Sequence, residues 1–163
     1  MWADLGAGSG NFTWALAELI GAGGTISALD RDARAVASQQ ARLRESPPAA
    51  HILPQQGNVL RPLDLPALDG ILMANLLHFI GDQAGLLLRL RKHLRPGGRV
   101  LVVEYEQFLP LPWIPHPLPF SRFTSVAAES GFAAPIQVGT RRSPSSGQVL
   151  YAAVAVASIS GLP

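Results

Sequence analysis

With 163 residues, 48% of them hydrophobic and 15% charged, the chain is long and apolar enough for one globular domain over 1–163, and its composition argues against disorder. It contains no cysteine, which excludes disulfides, thiolate metal sites and a cysteine nucleophile. The net charge is +2, carried by scattered arginines with Lys92 as the sole lysine, and no basic stripe interleaved with aromatics points to nucleic acid.

The chain opens with a short apolar strand, "MWADL", followed by glycines at every second position, Gly6, Gly8 and Gly10. A helix over 12–21 follows, with Phe12, Leu16, Leu19 and Ile20 at helical spacing and Gly21 as its stop. A strand at 25–30 leads into an Ala-, Arg- and Gln-rich helix at 31–45 that ends before Pro47 and Pro48. The segment 51–57 is a short strand whose Pro54 suits a sheet edge, and 68–75 is a buried strand. Asp82 is placed to cap a helix over 82–98, with basic residues in its last turns and Pro96-Gly97-Gly98 ending it. A buried strand at 99–105 precedes "EQFLPLPWIPHPLPF" (106–120), whose five prolines block both helix and ladder and predict an extended apolar loop. A helix over 121–132 is expected to be capped by Ser121 and stopped by Gly131. The segments 135–142 and 148–157 flank "SPSSG" as an antiparallel hairpin. The longest apolar run, 149–157, has strand length and falls short of the roughly 18 residues of a membrane span. No basic leader with a cleavage site is present, so a cytoplasmic protein without membrane contact is expected.

Strands alternating with helices predict an α/β fold, a parallel sheet covered on both faces, with the final hairpin adding an antiparallel strand. Ligands of such sheets sit at the C-terminal strand ends. The glycine loop lies there, and its lack of side chains lets the backbone approach a ligand closely. Asp30 ends the second strand twenty residues after Gly10, and its two oxygens can accept hydrogen bonds from both hydroxyls of a ribose. Glycine loop and strand-end acid together point to a nucleoside-containing cofactor. The register is G-x-G-x-G rather than the dinucleotide G-x-G-x-x-G, with Asn11 where the last glycine would stand. Asp4 precedes the loop and would repel a pyrophosphate but suits a cation. The balance therefore tilts from NAD towards S-adenosylmethionine (SAM), which carries an ammonium and a sulfonium and no phosphate.

"DLGAGSG", "ALDRD", "QGNV", "LDGILMANLLHFI", "LRPGGRVLVVEY" and "FTSVAAESGF", in that order, resemble the motifs of class I SAM-dependent methyltransferases. The fourth-strand segment resembles the small-molecule, ubiquinone/menaquinone-biosynthesis-like type. The resemblance implies a Rossmann-like three-layer sandwich with seven strands in the order 3-2-1-4-5-7-6, strand 7 antiparallel. Under it, Gly6, Ala7, Gly8 and Gly10 would pack against the methionine part of SAM and Asp4 would help hold its ammonium. Asp30 would grip the ribose, Arg31 would lie against the adenine, Asn58 and Val59 would border the base, and Asn75 would line the site near the sulfonium. Asn58 stands where an aspartate is common; its amide can both accept from the adenine amino group and donate to a ring nitrogen. Without cysteine, the thiol-dependent arsenic chemistry of related sequences is excluded.

Methyl transfer from a sulfonium mainly requires alignment, with a general base only for an acceptor that must lose a proton. The candidate catalytic residues are His78, Tyr105 and His116, with Glu104 and Glu106 near the same strand end; His78 has packing as its competing role. His93 is read as complementing a helix dipole. Four scattered histidines without an acid triad give no support to a metal. The 106–120 loop, with Phe108, Trp113 and Phe120, is expected either to wall an apolar acceptor pocket or to pack down on the sheet. Competing functions are an NAD(P)-dependent oxidoreductase and a non-catalytic interaction module. Only Met1, Trp2 and Ala3 precede Asp4, whereas the resemblance implies helices ahead of the first strand. A truncated form, an open site or a lid from a partner is expected, with a tendency to homodimerise through the uncovered N-terminal face.

Overall fold

A computed structural model describes residues 1–144 and 146–158. The chain runs β1 (Trp2–Leu5), α1 (Asn11–Ile20), β2 (Thr25–Asp30), α2 (Ala33–Glu45), β3 (His51–Gln56) and β4 (Leu68–Ala74). It continues through α3 (Gln83–Arg91), β5 (Leu94–Tyr105), α4 (Phe120–Glu129), β6 (Ile136–Arg142) and β7 (Val149–Val156). The seven strands form one sheet in the order β3-β2-β1-β4-β5-β7-β6. The β1, β2, β3, β4 and β5 pairings are parallel, while β7 runs antiparallel to both β5 and β6. The order and the antiparallel β7 are those expected from the sequence. The hairpin is also as expected, although Ser145 of its "SPSSG" turn lies outside the described residues.

Alternation along the strands divides the core between the two faces of the sheet. Ala3 and Leu5 of β1 join Ile71, Met73, Val100, Val102, Leu87 of α3 and Phe123 of α4 on one face. Ile26, Ala28 and Leu72 pack against Trp14 and Ala17 of α1 on the other. Each fully buried leucine or phenylalanine of these clusters contributes roughly 1.5–3 kcal/mol of hydrophobic stabilisation. Edge strand β3 accommodates Pro54, which lacks a ladder donor, and edge strand β6 is exposed along its whole length.

Several boundaries differ from the sequence expectation, each for an identifiable reason. Helix α2 begins at Ala33, because the Asp32 carboxylate accepts from the Arg34 N–H at 2.9 Å and caps it. In α1 the buried residues are Thr13, Trp14, Leu16 and Ala17, whereas Phe12 and Leu19 are exposed. The buried polar pair Thr13–Asp4 takes part of the face that apolar spacing alone assigned to Phe12. Asp82 does cap α3, accepting from the Gly85 N–H at 2.8 Å, but the helix ends at Arg91 instead of running to 98. Leu94 already pairs with Leu68, and the next pairs are Arg99 with Gly70, so Arg95, Pro96, Gly97 and Gly98 form an irregularity inside β5. His93 therefore lies beyond the helix, with Nδ1 3.3 Å from the Leu65 carbonyl. Helix α4 is not capped by Ser121: its N-cap is Pro119, and the Glu106 carboxylate accepts from the Phe120 N–H at 3.1 Å.

The proline-rich segment packs onto the sheet. Ile114 and Leu118 are buried, and the buried Tyr151 hydroxyl donates to the Leu118 carbonyl at 2.8 Å. Burial, with a smaller effect of the Glu104 and Glu106 charges, holds that hydroxyl far above its usual range, so it acts only as a neutral donor. Phe108, Leu109 and Trp113 stay exposed.

Candidate active site

Strand order reverses between β1 and β4, and the loops leaving their C-terminal ends diverge there. Gly6 and Ala7 both donate their backbone N–H to the Leu29 carbonyl, at 2.8 and 2.9 Å, which anchors the glycine loop to β2. The Gly8 N–H donates to Asp30 Oδ2 at 2.8 Å, and the Asp32 N–H donates to Asp30 Oδ1 at 2.9 Å. Each carboxylate oxygen still keeps a lone pair for another donor. From α2, fully buried Gln39 donates its amide N–H to the Gly8 carbonyl at 2.7 Å. Sequence reading missed this brace, because a glutamine inside a polar helix carries no signal of what it faces. All three loop glycines take positive φ, and two of them show what the geometry requires. Gly10 has φ +90°, and a Cβ there would stand 2.7 Å from the Trp14 ring. Gly8 has φ +54°, and its missing Cβ leaves open space beside the loop.

Asp4 lies beneath the loop with 1% of its surface exposed, and Thr13 Oγ1 donates to its Oδ2 at 2.5 Å. Burial pushes its carboxyl up to about 6; the Thr13 hydrogen bond opposes this and the Asp30 charge adds to it. At the end of β4, Asn75 adopts φ +54°, a left-handed conformation that asparagine tolerates better than most residues. Its N–H donates to the Val103 carbonyl at 2.8 Å, while its buried Oδ1 has no hydrogen-bond partner among the described residues.

Three clefts meet at Asn75. One, about 260 Å³, runs along the glycine loop and is lined by Asp4, Gly6, Ala7, Gly8 and Phe12. A second, about 200 Å³, holds Asp30, Arg31, Asn58 and Val59 on one side and Leu76, Phe79 and Ile80 on the other. Asn58 Oδ1 accepts from the Leu60 N–H at 2.9 Å, which fixes the turn after β3. The third and largest, about 590 Å³, lies between the start of α1, the end of β5 and the β6–β7 hairpin. Asn11 and Phe12 border both this cleft and the one along the glycine loop.

Among the three catalytic candidates, only Tyr105 lines a cleft, the largest one. His78 is buried in the 3₁₀ turn Leu77–Phe79, with Nδ1 2.7 Å from Oε2 of fully buried Glu104. The same carboxylate accepts from the backbone N–H groups of His78 and Tyr105, at 3.2 and 3.3 Å. This buried group latches the turn after β4 to the end of β5. His116 is exposed and touches none of the clefts; its N–H donates to the His78 carbonyl at 2.9 Å, and its ring stands against Gly81. The expected pocket wall at 106–120 does not line these clefts, because its buried residues point into the core. Instead Thr140, Arg141 and Leu150 of the hairpin supply that wall.

A family model described as "Methyltransferase domain" matches residues 3–100, which carry the glycine loop, Asp30, Asn58 and Asn75. The chain belongs to this methyltransferase family. Solved structures similar to it share the fold at low identity. A SAM-dependent methyltransferase from Aquifex aeolicus is 15% identical with a TM-score of 0.76, the match covering 96% of this chain and 81% of the other. One from Methanosarcina mazei is 14% identical, with a TM-score of 0.73 and coverage of 96% and 91%. Magnesium protoporphyrin IX methyltransferase from Synechocystis, solved with bound S-adenosylhomocysteine (SAH), is 13% identical, with a TM-score of 0.72 and coverage of 97% and 74%. No curated protein sequence matches the chain significantly.

The cofactor that a methyltransferase of this fold implies is SAM, and the residues present fit it. The space beside Gly8 accepts a chain that a Cβ would exclude, and two carboxylates suit an ammonium and a pair of hydroxyls. The orphaned Asn75 Oδ1 stands where the clefts join, with an unused lone pair for a polarised group. Among the described residues, no helix of the methyltransferase is long and apolar enough to cross a membrane.

Proposed function

We propose that this methyltransferase acts on a small aromatic or apolar acceptor held in the largest cleft. The observation that carries this reading is the junction at Asn75, where a small polar cleft along the glycine loop and a second of mixed lining meet one large, mainly apolar cleft. In this reading Gly6, Ala7, Gly8 and Gly10 cradle the methionine part of SAM, and Asp4 faces its ammonium. Asp30 accepts from the ribose hydroxyls without giving up its backbone donors. Arg31 lies on the adenine face, with Asn58 and Val59 at the base edge and Phe79 opposite. Asn75 borders the sulfonium.

When bound, SAM supplies a methyl group already activated by its positive sulfur. The chain's own residues then align rather than activate. Phe12 and Tyr105 flank the acceptor, Asn75 orients the group that faces the sulfonium, and the Glu104 latch fixes Tyr105 relative to the turn after β4. His78 acts here as a positioning residue through Glu104.

Calorimetric titration with SAH and with NAD tests the cofactor assignment. The expected result is SAH binding without NAD binding, weakened at least ten-fold in Asp30→Ala. NAD binding without SAH binding would overturn the reading, and an unchanged SAH affinity in Asp30→Ala would remove the ribose assignment.

A further inference from the structure

The largest cleft is apolar in its middle, with Asn11 and Asn75 where it meets the other clefts and Thr140 and Arg141 on the hairpin side. Phe12, Tyr105 and Leu150 form its body, and among its lining residues Arg141 alone carries a charge. Arg141 has no ion pair and no side-chain hydrogen bond among the described residues. Its neighbour Arg142 differs: alternation turns it to the other face, where it donates to the Gly147 carbonyl at 3.0 Å and secures the hairpin. One arginine thus holds the turn, while the other faces the cleft without a protein partner.

Strand register fixes how far Arg141 stands from the reacting end. Arg141 pairs with Leu150, and Leu150 pairs with Tyr105. On the other side of β5, Val103 pairs with Ala74, the residue before Asn75. Arg141 is therefore three strand spacings from the end of β4, roughly 14 Å. A guanidinium reaching inward across this span leaves room for a flat body of about two fused rings. Its planar fork matches a carboxylate, with two parallel N–H···O bonds. No acidic residue lines the cleft to compete for it.

We propose that the cleft selects a fused aromatic acceptor bearing a carboxylate, with Arg141 as the anchor for the anion and the methyl-accepting group at Asn75. This deepens, and rests on, the reading of the cleft as the acceptor site. Arg141 is a specificity residue in it and takes no part in methyl transfer itself.

The test titrates 6-hydroxy-2-naphthoate and its uncharged counterpart 2-naphthol against the SAH-saturated protein and, separately, the free protein. The naphthoate is expected to bind at least ten-fold tighter than the naphthol. That preference should fall below two-fold in Arg141→Gln and survive in part in Arg141→Lys. It should be unchanged in Arg122→Gln, which removes the same charge from exposed α4. Equal binding of the two probes, a preference that persists in Arg141→Gln, or no binding of either at millimolar concentration would overturn the proposal. Measured SAH binding with no carboxylate preference sinks this inference alone. A preference seen in the free protein with no SAH binding keeps the anion site and sinks the methyltransferase reading of the cleft.

Discussion

Asp4 is a carboxylate taken almost wholly out of water, and its proton follows from that. Its folded value of about 6 lies above the ordinary 3.8, so the folded state binds the proton more tightly than the unfolded chain does. The stability from the neutral form is complete below the ordinary value and is lost as pH rises through about 6, a difference of about 3 kcal/mol. An ammonium seated against it, as proposed for SAM, would reverse the preference, because it favours the ionised carboxylate. SAH affinity is therefore expected to drop about ten-fold from pH 7 to pH 5, since only the ionised tenth of Asp4 remains competent there. Calorimetry in two buffers of different ionisation enthalpy should show about half a proton released on binding near pH 6, rising towards one at pH 5. In Asp4→Asn both the pH slope and the proton release should vanish; a slope that remains would show that Asp4 does not face the ammonium.

At the scale of the element, the strand–loop–helix unit from β1 to α1 depends on backbone shape more than on side chains. Gly10→Ala forces a Cβ into the Trp14 ring and a side chain into a left-handed φ, and is expected to destabilise the fold by roughly 2 kcal/mol. Urea unfolding monitored by far-ultraviolet circular dichroism would register this as a lower midpoint with an unchanged slope; an unmoved midpoint would mean that the loop relaxes freely. This unit was legible in the sequence, because alternating glycines and a strand-end acid each have a local meaning. The α3–β5 junction was not: Pro-Gly-Gly looks like a helix stop, yet the pairing of Leu94 with Leu68 claims those residues for the sheet. Apolar spacing placed Phe12 in the core, but the buried Asp4–Thr13 pair and the cleft-lining position of Phe12 depend on neighbours distant in sequence. The hairpin wall of the largest cleft was hidden for the same reason. In "IQVGTRR" nothing distinguishes the arginine that secures the turn from the one that faces a cleft, since register across two strands decides it. His78 was a catalytic candidate with packing as its competing role, and the Glu104 that pairs with it becomes visible only once β4 and β5 lie side by side.

Over the whole molecule, the sheet divides its work at the β1–β4 crossover. The β3-β2-β1 half, with the start of α1, shapes most of the two smaller clefts, and the β5-β7-β6 half, together with Phe12 and Ala15 of α1, shapes the large one. Asn75, just after β4, lines all three clefts. A donor seated in the smaller clefts becomes part of the floor on which the acceptor lands. Under the proposed site, turnover is expected to be compulsory in order, with the donor first on and the demethylated nucleoside last off. SAH should inhibit competitively against SAM and non-competitively against the acceptor, whereas competitive patterns against both substrates would indicate random entry. Under such an order, the acceptor cleft reaches its full shape only after the donor has arrived, so screening for acceptors with the free chain would understate what the cleft can hold.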